Sequence, residues 1–132
     1  MQPMPVITLK SGLRVGNFSS PHPFNFTTGE VLPGCDPERT LALMLNPKEI
    51  EFRYRSSHGR TEWTDIILDF HMTEEVSAEI SRASSNEEVD VVIVPLPVIT
   101  ACKATDRGIG KLRVCRVADR VAKTIYPDRF CV

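Results

Sequence analysis

No CxxC pair, no glycine-rich phosphate motif and no long apolar run occur in these 132 residues, and each absence removes a class of function. Cys35, Cys102, Cys115 and Cys131 lie far apart, and the histidines at 22, 58 and 71 stand near none of them. Zinc knuckles need closely spaced ligand pairs, so no metal site is expected and the cysteines read as free, mostly buried thiols. Neither GxxxxGK followed by Ser or Thr nor GxGxxG is present, and Gly108-Ile109-Gly110-Lys111 shares little more than its glycines with such loops. Hydrolysis of a nucleotide by a phosphate loop is unsupported, and no cofactor is expected.

The longest apolar run, 91–99, contains two prolines and falls far short of the ~20 residues that cross a bilayer. Met1-Gln2-Pro3-Met4-Pro5 has no basic stretch leading into an apolar core. No secretory signal is therefore expected, no membrane partner either, and the protein is placed in the cytoplasm. A formal net charge of −1 lacks the basic excess of a non-specific nucleic-acid binder, which gains its affinity by neutralising many phosphates. That class is not expected.

What the chain has is a charge split. Residues 103–132 carry eight basic and three acidic side chains, a local +5, whereas residues 1–102 carry eight basic and fourteen acidic, a local −6. Within the basic part, Arg113, Arg116, Arg120 and Lys123 recur at steps of three, four and three, which aligns them along one stripe if the segment is helical.

An apolar content of 42%, a charged content of 25% and ten prolines describe a globular chain rich in turns, of a size usual for one domain. Two β-prone runs, 6–10 and 13–18, flank Ser11-Gly12 and predict an opening hairpin; 24–26 and 30–32 around Thr27-Thr28-Gly29 predict a smaller one. Asp36-Pro37-Glu38 is a helix start, stopped at Asn46-Pro47. Alternation in 50–54 and 62–72 predicts a third hairpin, and Thr73 caps a helix whose buried side is Val76, Ile80 and Ala83.

Residues 89–94 are β-branched and apolar except for Asp90, as befits a strand covered on both faces in mid-sheet. A short helix over 98–104 and a glycine-bearing loop over 105–110 follow. From Lys111 onward, β-branched content favours a strand, while the spacing of Val114, Val117, Val121 and Ile125 favours a helix. We expect a strand that gives way to a short helix near Ala118. The whole is expected to be a single α+β domain, 1–132, with one mixed or antiparallel sheet built from hairpins and backed by two or three short helices.

Two kinds of site compete. Arginines one helical turn apart grip a phosphate with paired N–H donors, and Arg116 with Arg120 lead such a set, flanked by Arg113 and Lys123. A solvated face, or a match to the acidic stretch 62–90 within or between chains, is the plainer alternative. For catalysis, His22 lies in Ser19-Ser20-Pro21-His22-Pro23, two hydroxyls beside an imidazole, and Asp65, Asp69 and His71 share one side of an expected strand, about 7 Å between successive same-face positions. Cys102 and Cys115 sit among apolar neighbours that favour inert packing.

The expectation is a self-associating protein that binds an anionic small molecule, a nucleotide or phosphorylated metabolite, through Arg113, Arg116, Arg120 and Lys123. The alternatives are a small hydrolase or transferase using His22, Asp69 or His71, and an interaction module whose acidic and basic halves meet between chains.

Overall fold

The computed structural model describes residues 2–45 and 72–132 in full, and of the segment between them the backbone of 47–55 and 62–70. His58, His71 and the side chains of Asp65 and Asp69 lie outside the described residues. Seven strands form one mixed sheet: β1 (Val6–Thr8), β2 (Arg14–Asn17), β3 (Phe24–Phe26), β4 (Val31–Leu32), β7 (Val91–Ile93), β8 (Leu112–Asp119) and β9 (Thr124–Cys131). Their order across the sheet is β1-β2-β7-β8-β9-β3-β4. The remaining strands, β5 (Pro47–Arg55) and β6 (Glu62–Phe70), pair antiparallel with each other as a separate two-stranded ribbon.

Among the described residues, three helices join the sheet in an α+β fold: α1 (Pro37–Leu43), α2 (Glu74–Ser85) and α3 (Leu96–Ala104). The first two start where the sequence supplies a cap. Asp36 Oδ1 accepts from the Arg39 N–H at 3.0 Å, and Thr73 Oγ1 from the Val76 N–H at 3.2 Å, each satisfying an amide that the helix leaves unpaired. None of the helices among the described residues is long and apolar enough to cross a membrane.

Strand β7 explains the two cores. It pairs in parallel with β2 and with β8, so its side chains alternate between two buried faces. Val92 joins Phe18, Leu43, Val76, Ile80, Val98, Ile99 and Leu112 under the helices. Ile93 points the other way, to Leu9, Val15, Phe26, Leu32 and Ile125. That second cluster draws on β2 near one end of the strand order and on β3 and β4 at the other, so the sheet curls until it is nearly a barrel. Asn17 helps to hold the curl: its Nδ2 donates to the carbonyls of Ser20 and Pro33, both at 3.0 Å.

The helix expected near Ala118 does not form. Residues 112–131 hold no helix; β8 runs to Asp119, residues 120–123 turn, and β9 returns antiparallel. The turn is closed by Asp119 Oδ1, which accepts from the amides of Val121 at 2.8 Å and Ala122 at 3.1 Å, and by Lys123 at φ 56°. Strand partners on both sides of β8 decide against the helical spacing of its valines.

Candidate functional site

The basic residues expected to form a stripe therefore lie along a hairpin. Arg113 sits at the buried root of β8, where its Nη1 donates to the carbonyls of Gly110 and Leu112, both at 2.7 Å. Its guanidinium is tied to the backbone. Arg116 is exposed in mid-strand, and Arg120 and Lys123 are exposed in the turn beside Val121, which is 93% exposed. The side chains of Arg116, Arg120 and Lys123 have no hydrogen bond or ion pair with any described residue.

Arg116 lies within β8 and Arg120 in the turn that follows it. The helical geometry in which both grip one phosphate is absent. In its place the hairpin carries a register break. Cys115 pairs with Phe130 and Val117 with Ile125, so Arg116 alone stands opposite residues 126–129 of β9. The slack strand contains Pro127, which has no N–H for a ladder and is tolerated at such a bulge. It also lets Tyr126 and Arg129 meet: the Arg129 guanidinium carbon lies 4.9 Å from the Tyr126 ring centroid. In a regular strand residues three apart point to opposite faces, which is why sequence spacing did not join these two to the site.

Asp119 and Asp128 are the acids on the hairpin, and Asp119 is engaged with turn amides. Lys111, just before β8, is spent on structure, its Nζ donating at 2.6 Å to the Asn86 carbonyl at the end of α2.

Of the catalytic candidates, His22 is the one whose side chain lies among the described residues. His22 is exposed in its loop, and Ser20 Oγ bonds the backbone of His22 at 3.2 Å in both directions, leaving the imidazole without a hydrogen bond to a described residue. Asp69 and His71 cannot be placed against it, being outside the residues whose side chains are described. All four cysteines are free thiols. Burial pushes the Cys35, Cys102 and Cys115 thiols above their ordinary pKa, which suits packing and not nucleophilic attack. Cys35 and Cys102 are buried, Cys115 is half-buried and Cys131 is exposed. Cys115 and Cys131 are offset by one pair on adjacent strands, so they face opposite sides of the hairpin.

Comparison with protein families, with curated proteins and with solved structures returns no match, so the chemistry of the site stands on its own geometry.

Proposed function

We propose that the protein binds an anionic, phosphate-bearing ligand along the β8–β9 hairpin, with a nucleotide as the ligand class that suits it best. The observation that carries this reading is the exposure of Arg116, Arg120 and Lys123 without an acidic partner among the described residues. Solvated guanidinium groups remain available to a phosphate, and each offers it a planar pair of donors. Tyr126 with Arg129 over its ring adds a flat surface beside Arg116, on which a base can stack. Arg113, tethered to Gly110 and Leu112, supports the root of the hairpin and contributes positive potential.

Self-association belongs to the same proposal. The exposed carboxylates of Glu74, Glu75, Glu87 and Glu88 offer the hairpin of a second copy an oppositely charged face.

The test is ATP binding by calorimetry at two ionic strengths, with assembly followed by sedimentation. Arg116→Ala with Arg120→Ala and Lys123→Ala is expected to weaken ATP binding at least tenfold while the chain stays folded, and salt is expected to weaken the wild type in the same direction. Unchanged ATP affinity in the triple variant would overturn the reading. Loss of assembly without any ATP binding in the wild type would transfer the hairpin to a protein partner.

A further inference from the structure

A second cavity-forming region lies away from the hairpin, between the 19–21 loop, the end of α1 and the start of α3. It measures about 240 Å³, just below the lower end of the range for small-molecule sites. Leu43 and Val98, each 1% exposed, line it together with Met44, which is 49% exposed. Pro21, Pro95 and Pro97 also line it and have no N–H to offer. Among the described residues the lining has no ionisable side chain, so a charged guest would find no counter-charge from them.

Three hydroxyl-bearing residues, Ser19, Ser20 and Thr40, line this space. Ser20 Oγ is engaged with the backbone of His22, and Thr40 Oγ1 donates to the Asp36 carbonyl at 3.2 Å. Ser19 is different: it is 5% exposed, lines the cavity, and its hydroxyl has no hydrogen-bond partner among the described residues. A hydroxyl without a protein partner beside an apolar cavity is open to a guest that brings one.

We infer that this cavity binds a small, uncharged, mainly apolar molecule bearing one hydrogen-bonding group, with Ser19 as the residue that recognises that group. Hydrophobic burial against Leu43 and Val98 supplies affinity, and the Ser19 hydroxyl discriminates a polar-tipped guest from a hydrocarbon of the same shape. This site is independent of the cationic hairpin in position and in ligand chemistry.

The experiment is a titration of the full chain with benzyl alcohol, benzoate and toluene, followed by amide chemical shifts of Thr40, Leu43 and Val98. Benzyl alcohol is expected to shift them saturably, with benzoate at least tenfold weaker. Ser19→Ala is expected to weaken benzyl alcohol about fivefold, the worth of one net hydrogen bond, and to leave toluene unchanged. Met44→Trp, which enlarges a lining side chain, is expected to abolish all three. Unmoved amides with benzyl alcohol in the wild type, or benzoate binding as tightly as the alcohol, would overturn the inference. So would equal affinity for toluene and benzyl alcohol, a comparison made on the wild type and independent of whether the Ser19 variant folds.

Discussion

Arg39 is a cation held 95% out of solvent in a chain whose other described cations are partly or fully exposed. Its Nε donates to the Phe18 carbonyl at 2.7 Å and its Nη1 to the Gln2 carbonyl at 3.2 Å, while Glu79 Oε2 lies 3.8 Å from Nη1. The guanidinium also packs 5.6 Å from the Phe18 ring centroid. One side chain thus ties α1 to the end of β2, to the N-terminal segment and to α2. Arg39→Ala leaves the buried Phe18 carbonyl without its donor and Glu79 with Arg82 as its remaining ion-pair partner, and is expected to lower stability by about 3 kcal/mol. A shift of the urea midpoint measures it, and Arg39→Lys, a point charge in place of a fork, is expected to recover only part. Nothing local announces this role. Arg39 follows Asp36-Pro37-Glu38 as any exposed helix residue does, and the partners that bury it come from residues as far off as Gln2 and Glu79. Helix caps at Asp36 and Thr73, by contrast, were legible because their hydrogen bonds reach only three residues ahead.

At the scale of elements, the parallel pairing of β2 with β7 is clamped at its start. Asp90 Oδ2 accepts from the Arg14 backbone N–H at 2.8 Å and from Nε at 3.2 Å, Oδ1 accepts from Nη2 at 3.1 Å, and the Asp90 N–H donates to the Arg14 carbonyl at 2.9 Å. The hydrogen bonds from the Arg14 side chain and backbone lower the Asp90 pKa from 3.8 to about 2. Because the folded-state value lies below the unfolded one, the stabilisation is complete above pH 4 and fades as pH falls through about 2. Asp90→Asn is expected to remove that portion of the acid-induced fall in Tm, read from melts between pH 2 and pH 5. Sequence pattern located β7 well, since a β-branched run covered on both faces has few alternatives to a central strand. It misjudged residues 118–125 because Val114, Val117, Val121 and Ile125 fit helical spacing equally well, and their strand partners include β3, far away in the chain. The isolation of the β5–β6 ribbon from the main sheet was likewise invisible, since alternation reports a strand and not its neighbours.

For the whole molecule, the charge split readable in the sequence becomes a spatial one only in part. Lys111 and Arg113 are drawn into the structure, and the cations left to solvent on the hairpin are Arg116, Arg120, Lys123 and Arg129. Sequence identified the region and the sign of its charge, but which members stay available depends on carbonyls that the fold happens to leave nearby. Strand β8 unites the two parts. Its first residues, Leu112 and Arg113, pair with Val92 and Ile93 at the centre of the sheet, and its later ones pair with β9 on the way to the solvent-facing turn. The Val94 N–H donates to the Arg113 carbonyl at 2.9 Å, which makes that amide a reporter at the hinge of this continuous strand. A nucleotide resting on the hairpin is then expected to slow deuterium uptake at Val94 as well as at the turn. The outer arm and the molecular interior would breathe together, so occupancy at the rim is registered as stiffness in the middle.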